Sequence, residues 1–316
     1  MAAALALGER GVGRTGNNPS VGCIVINDGK VVGRGWTQPG GRPHAEAMAL
    51  EQAGEAARGA TVYVTLEPCA HLSERGSSCS DLLIAAKPKQ IIVALEDPDP
   101  RTKGKGMAKL CAAGIVVTSD IMASEARTAL EGFISRIECK RPFVTLKLAT
   151  SLDGAIAMAD GSSRWISGDA ARAHAHVERA RSDAILVGAG TVRADAPKLD
   201  VRLRGLTDRS PRRVMLGSGE APDGWERIAT PAEIGLLDCN YLLVEGGAIT
   251  AASFLKANLV DRLMLYRAPI LIGSGKPCIG DIGLACLNDA HGRLRLADTR
   301  QLGSDRLDVY EKSELE

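Results

Sequence analysis

The chain has 316 residues, 45% hydrophobic and 3% aromatic, and its 39 Lys and Arg nearly balance 38 Asp and Glu for a formal net charge of +1. This length suggests two domains, with cores built from Ala, Val, Leu and Ile rather than from aromatic rings. The charge balance argues against a general nucleic-acid binder, which would need a basic face, and no apolar run approaches membrane-spanning length.

Residues 1–10 lack the basic start and apolar middle of a signal peptide and read as a short first helix. With no export signal and a chain this long, the eight cysteines are expected to be reduced thiols in a cytoplasmic protein. Cys23, Cys111, Cys139, Cys239, Cys278 and Cys286 read as small buried hydrophobes.

Residues 21–26 form an apolar strand, Asn27-Asp28-Gly29 is a turn signal, and residues 30–36 return as the hairpin partner. Next comes Pro43-His44-Ala45-Glu46, which opens a run of strong helix formers through Ala53. This places His44 and Glu46 in a first helical turn. A strand over 61–66 leads into Glu67-Pro68-Cys69, and Cys79 opens a second helix through Ala86. A thiol at a helix N-terminus ionises more easily, because the dipole favours the thiolate.

One imidazole, two thiols and an adjacent acid are the equipment of a catalytic zinc site with an open fourth position. The H-x-E…P-C-x-x-C pattern is the mark of zinc deaminases. Here the first half matches, whereas nine residues rather than two separate Cys69 from Cys79. A lone His or Cys would most often be a packing residue; the combination points to metal.

A strand over 90–95, a rigid Asp97-Pro98-Asp99-Pro100 loop, a helix over 106–113, a strand over 115–118 and a helix over 124–137 complete the first half. A hairpin followed by strand–helix alternation predicts a mixed sheet covered by helices. Cys139-Lys140-Arg141-Pro142 is the expected domain boundary, giving domains 1–140 and 141–316.

The second half alternates again. Strands are read at 143–149, 184–188, 213–216, 241–244 and 262–268, helices at 169–181 and 248–258, and two terminal strands at 294–301 and 306–311. Residues 204–212 read as an exposed polar loop. Gly188-Ala189-Gly190 and Glu245-Gly246-Gly247 each follow a strand; the second leads into a helix whose backbone N–H groups can receive a phosphate. The first is no Rossmann fingerprint, because Arg193 stands at the third glycine. Asp153 reads as a turn residue, and His174 and His176 fall on different faces of one helix.

Taken together, the pattern resembles the bifunctional riboflavin-biosynthesis deaminase–reductase family. The resemblance rests on Asn18-Pro19-Ser20-Val21-Gly22-Cys23, the His44 and Cys69 motifs, Leu146-Lys147-Leu148-Ala149-Thr150-Ser151-Leu152-Asp153-Gly154, Trp165-Ile166-Ser167, Thr191-Val192-Arg193-Ala194-Asp195 and Val244-Glu245-Gly246-Gly247. It implies an α/β protein: a cytidine-deaminase-like three-layer domain, then a dihydrofolate-reductase-like domain. It implies zinc on His44, Cys69 and Cys79, Glu46 as general acid and base, and Asn18, His71 and Arg75 on the deaminase substrate.

For the second domain the resemblance implies NADPH, contacted by Ala149, Trp165, Thr191, Asp195, Ser218 and Gly247. It also implies a ribosyl-phosphate pyrimidine substrate, contacted by Ser163, Arg179, Leu199, Arg202 and Glu245. Lys147 and Glu245 are expected near the transferred hydride. No nucleic-acid or membrane partner is expected, and a homo-oligomer is. The competing reading is a deaminase alone, with a second half that only binds ligand or mediates assembly.

Overall fold

The computed structural model describes residues 1–71 and 76–313. The chain divides into two compact units, Met1–Lys140 and Arg141–Glu316.

The first unit runs α1 (Ala2–Gly8), β1 (Gly22–Asn27), β2 (Lys30–Trp36), α2 (Ala45–Ala53), β3 (Thr61–Val64), α3 (Cys79–Ala86), β4 (Gln90–Val93), α4 (Lys105–Ala112), β5 (Val116–Thr118), α5 (Ala123–Ala129) and α6 (Glu131–Glu138). The strands form one mixed sheet in the order β2-β1-β3-β4-β5. β1 pairs antiparallel with both neighbours, and β3, β4 and β5 are parallel. Asp28 and Gly29 both take positive φ, 46° and 73°, as the tight turn of a right-twisted hairpin requires.

Alternation along the strands sends side chains to opposite faces. Val25, Val62 and Ile91 meet Ala49 of α2, Leu83 of α3 and Leu110 of α4 in the main core. Ile24 and Tyr63 meet Ala4 and Leu7 of α1 in another cluster. Helices therefore cover the sheet as layers. On β2, a Cβ at Gly33 or Gly35 would strike the backbone carbonyls of Ala49 and Ala45. Glycine here lets α2 lie directly on the strand.

The second unit runs β6 (Phe143–Thr150), β7 (Ala155–Ala157), α7 (Asp169–Ala180), β8 (Ala184–Gly188), α8 (Ala189–Asp195), β9 (Arg212–Leu216), β10 (Glu226–Ile228), β11 (Tyr241–Val244), α9 (Ala248–Lys256), β12 (Arg262–Arg267), β13 (Lys276–Pro277), β14 (Leu294–Leu302) and β15 (Asp305–Lys312). The large sheet has the order β10-β9-β8-β11-β6-β12-β15-β14. It is parallel from β10 to β12 and antiparallel through β15 and β14. Val144, Leu146, Leu186, Val214, Leu242 and Val244 form its core with Phe254 of α9. Arg141 grips Asp261 through two hydrogen bonds of 2.6 and 2.7 Å, and the same carboxylate accepts from Val144 N–H at the start of β6.

Several sequence expectations need correction. The single helix over 124–137 is two, broken at Leu130, whose φ of −110° and ψ of 12° are not helical. β7, β10, β13 and α8 are not legible from periodicity, being only two to seven residues long. Cys23 and Cys239 are buried as expected, but Cys111, Cys139 and Cys286 are exposed. A small apolar side chain tolerates burial without enforcing it; the helix face or loop decides.

Candidate active sites

In the first unit, three chain segments converge beyond the end of β3. His44 is the N-cap of α2, in extended conformation, rather than a residue inside its first turn. Cys79 is the first residue of α3. Cys69 lies between β3 and α3. The ligand atoms of the three lie within 4.8 Å of one another. His44 Nδ1 is 3.3 Å from Cys79 Sγ and 3.7 Å from Cys69 Sγ. A tetrahedral ion with two thiolates and an imidazole has edges of about 3.5 Å. The donor set and its spacing thus fit zinc, with a fourth position left for water.

The first backbone N–H of α3 serves the other thiol of the pair, Cys69. Cys69 is drawn down to about 4, first by the hydrogen bond from Cys79 Sγ and further by His44 and the Cys79 backbone N–H. That N–H, an unpaired donor of the first turn of α3, points at Cys69 Sγ from 3.3 Å. Cys79 moves up for the converse reason, as donor in the pair and deeply buried. His44 is pushed down by burial, yet Cys69 and Glu46 outweigh this and raise it.

Glu46, in the first turn of α2, is only 3% exposed. Burial raises its pKa against the lowering pull of His44. It lines a cavity of about 210 Å³ together with Asn18, His44, Cys69 and His71. Asn18 is fixed by the Thr15 hydroxyl, which donates to its carbonyl at 2.7 Å. His71 Nδ1 sits 3.3 Å from Thr102 Oγ1. Arg75 lies outside the described residues.

Sequence reasoning gave Glu67 no role, yet it builds the site's floor. Its carboxylate accepts from the backbone N–H groups of Asp97, Gly104, Gly106 and Met107 at 2.9–3.2 Å. These bonds tie the loop after β4 and the start of α4 beneath Cys69. Asp97 and Asp99 of that loop also line the cavity, with Arg42 and Arg101. Burial, then the nearby carboxylates, push Asp97 up to about 7. Arg101 forks onto Asp99 through 2.5–3.1 Å bonds. The Asp-Pro-Asp-Pro run was the available signal for this loop.

In the second unit, a cavity of about 260 Å³ opens beyond the C-terminal ends of the parallel strands, where open α/β sheets place ligands. Lys147, Ala149, Ser163 and Trp165 line it, as do Arg179, Arg202 and Glu245. Arg179, near the end of α7, grips Glu245 with two bonds of 2.7 and 2.9 Å. Lys147 Nζ is 3.9 Å from the same carboxylate. Burial pushes Glu245 up, but the charges of Lys147 and Arg179 win and hold it below the usual carboxylate range.

Residues missed by the sequence reading complete this wall. Tyr266 of β12 lies beneath Lys147, whose ammonium is 5.6 Å from the ring centroid. The Tyr266 hydroxyl is 2.8 Å from His174 Nδ1. His176 lines the cavity beside Arg202. Asp153 is more than a turn residue: it accepts from the Gly273 and Ile272 N–H groups at 2.7 and 3.1 Å. Together with the Ser151 side chain, the largest influence, these bonds pull it to about 2.

The other residues named for the cofactor lie away from this cavity's lining. Thr191 and Asp195 are on α8, Ser218 follows β9, and Gly247 is the N-cap of α9. All lie beyond the C-terminal ends of β8, β9 and β11. Gly190 and Gly247 have open space where a Cβ would sit, and no side chain caps α8 or α9. Uncapped helix starts facing open space suit the phosphates of a dinucleotide. Leu199 is buried, 6% exposed as a residue, and packs with Ile185, Val187 and Leu243.

Comparison with known proteins agrees with this division of labour. A family model described as the cytidine and deoxycytidylate deaminase zinc-binding region matches residues 1–95. One described as the RibD C-terminal domain matches residues 142–225 and 233–307. The class is therefore a two-part enzyme, a zinc-binding deaminase half joined to an NADPH-type reductase half.

The riboflavin biosynthesis protein RibD of Aquifex aeolicus is 37% identical over 99% of this chain and 97% of its own length. That of Escherichia coli is 38% identical over 96% of each. The solved structure of Acinetobacter baumannii RibD, form 1, superposes with a TM-score of 0.91 at 34% identity, covering 99% of this chain and 98% of that one. A Thermotoga maritima structure titled diaminohydroxyphosphoribosylaminopyrimidine deaminase/5-amino-6-(5-phosphoribosylamino)uracil reductase gives 0.87 at 31% identity, covering 99% and 97%. The chain belongs to the RibD family, the bifunctional deaminase–reductases of riboflavin biosynthesis.

Proposed function

We propose that residues 1–140 deaminate 2,5-diamino-6-ribosylamino-4(3H)-pyrimidinone 5′-phosphate and that residues 141–316 reduce the ribosyl group of the product to ribityl. The observation that carries this reading is the presence in one chain of two built sites. One is His44, Cys69 and Cys79 around a buried Glu46; the other is the Lys147–Glu245–Arg179 cluster in a strand-end cavity.

In the first site His44, Cys69 and Cys79 would hold zinc, which would supply the Lewis acidity that activates water near neutral pH. Glu46 does the proton work. Its carboxylate, with a pKa raised by burial, takes a proton from the attacking water and, as the acid so formed, returns it to the ring and the departing ammonia. Asn18 and His71, on the cavity wall, orient the ring and its substituents, and Arg75 is assigned to the substrate by family likeness.

In the second site Thr191, Asp195, Ser218 and Gly247, with Ala149 and Trp165, would hold NADPH, which would supply the hydride. Opening the ribose ring as C1′ is reduced leaves the ring oxygen needing a proton. Lys147 carries one into the cavity, and Glu245, kept ionised, orients that ammonium and stabilises its charge. Ser163, Arg202, Arg179 and Leu199 receive the sugar phosphate; a guanidinium grips phosphate well.

Among the described residues no helix is long and apolar enough to cross a membrane. We place the enzyme in the cytoplasm, where the thiols of its metal site stay reduced, as a homo-oligomer without a nucleic-acid partner. Mass spectrometry with the diaminopyrimidinone ribosyl phosphate tests the whole reading. The expected result is a deamination mass change without NADPH, followed by a reduction change that requires it. Deamination alone would leave the second unit a binding or assembly module, and no change in zinc-loaded protein would overturn the substrate.

A further inference from the structure

Lys147 is drawn toward Glu245 without being bonded to it. Their 3.9 Å separation exceeds hydrogen-bond length, and both oxygens of that carboxylate already accept from Arg179 at 2.7 and 2.9 Å. Coulomb attraction falls off gently with distance and has no preferred direction. Glu245 therefore keeps the ammonium nearby but does not by itself fix its position. A proton donor must meet its acceptor at hydrogen-bond distance, so a second group has to set where the ammonium stands.

The register of the sheet supplies one. β6 and β12 are parallel neighbours in which Lys147 pairs with Met264 and Ala149 with Tyr266. Partners across a ladder share a face, and so do residues two apart on a strand. Lys147 and Tyr266 are thus diagonal neighbours on one face. The Lys147 ammonium lies over the Tyr266 ring, 5.6 Å from its centroid, and both residues line the strand-end cavity. The negative face of an aromatic ring attracts an ammonium within about 6 Å, and only over that face.

The ring is itself held in place. Tyr266 is 1% exposed and packs with Ala171, Met264, Leu307 and Val309. Its hydroxyl lies 2.8 Å from His174 Nδ1 on α7. Nε2 of His174 faces Glu178, a turn further along the helix, at 4.0 Å. A proton on Nε2 suits that carboxylate and leaves Nδ1 to accept from the phenol. The hydroxyl is thereby committed to the helix, so what Tyr266 offers Lys147 is its face.

We propose that Tyr266 is a positioning residue for the reduction: its ring face and the Glu245 carboxylate jointly hold the Lys147 ammonium where it donates a proton to the opened ribose oxygen. The inference rests on the reading of Lys147 as that donor.

The test is the single-turnover rate of NADPH oxidation by the full chain with the deaminated substrate. The proteins compared are the wild type, Tyr266→Phe, Tyr266→Leu and a series in which phenylalanine at position 266 carries one, two or three ring fluorines. Fluorine drains charge from the ring face and barely changes its size. Phenylalanine keeps the face and should hold the rate within about twofold of wild type. Leucine removes the face and should lower the rate about tenfold, with the steady-state KM values for substrate and NADPH nearly unchanged. Along the fluorinated series the rate should fall step by step, a dependence that packing alone would not produce.

A fluorinated series without a trend, or Tyr266→Phe as slow as Tyr266→Leu, would overturn the proposal. If Tyr266→Phe does not fold, tyrosines fluorinated on the ring replace the series, since they keep the bond to His174. Lys147→Met separates this inference from the reading beneath it. Slow reduction by that variant together with a flat fluorine series removes the role of Tyr266 alone. Reduction at the wild-type rate removes the donor role of Lys147, and this inference with it.

Discussion

Glu46 and Glu245 are both nearly buried carboxylates, yet their neighbours drive them in opposite directions. Around Glu46 burial dominates and raises its affinity for the proton it takes from water. Glu46→Gln should therefore lower deamination by at least about 100-fold, the usual worth of a placed general acid or base. Metal analysis should show zinc retained, and NADPH oxidation with deaminated substrate should be unchanged. Around Glu245 two cations outweigh burial. A carboxylate with a depressed folded pKa stabilises the protein above its unfolded value of 4.5 and loses that contribution as pH falls through the folded value. Removing it leaves Arg179 buried with no carboxylate partner. Glu245→Gln should cost about 3 kcal/mol at pH 7, and denaturant titrations should show the gap to wild type closing well below pH 4.5. His44, Cys69, Glu46 and Cys79 were legible in the sequence because their chemistry is rare and their spacing constrained. Glu67, Tyr266 and His176 were not, because a single acid, phenol or imidazole reveals nothing until its partners are known.

The helices that carry the metal-site residues owe their positions to small features of neighbouring elements. α2 rests on β2 only because Gly33 and Gly35 lack a Cβ. Gly35→Ala should push α2 outward, cost about 1–3 kcal/mol of stability as overpacking does, and weaken zinc retention, since His44 caps that helix. Retained zinc and unchanged thermal unfolding would show that the contact yields without consequence. At α3 the cap is Ser78, whose hydroxyl accepts from Asp81 N–H at 3.3 Å and donates to its carboxylate at 2.6 Å. Ser78→Ala should cost about 1 kcal/mol, measurable by denaturant unfolding, and should loosen Cys79. Strong formers after Pro43 and the apolar run after Cys79 made both helices readable. α8 was not, because seven residues starting Ala-Gly-Thr give no helical period.

At the scale of the molecule, each unit carries its own hydrophobic core, and only the first carries a His-Cys-Cys cluster among the described residues. Metal that binds the folded state alone stabilises it by mass action, about 3–4 kcal/mol when free metal is a hundred to a thousand times its dissociation constant. Chelation should therefore lower the unfolding temperature of the first unit in calorimetry and leave the second where it was. A shift of both transitions by the same amount would contradict separate cores. The sequence by itself determined the longer strands and helices, the α/β class and the expectation of a His-Cys-Cys metal site, because hydrophobic period, turn chemistry and zinc-ligand types are local properties of the chain. Tertiary structure alone decided which thiol receives the helix N–H, that Glu245 is shared by Lys147 and Arg179, and that His176 lies beside Arg202. Those facts depend on groups far apart in sequence and brought within a few ångströms by the fold, where burial and charge act through space.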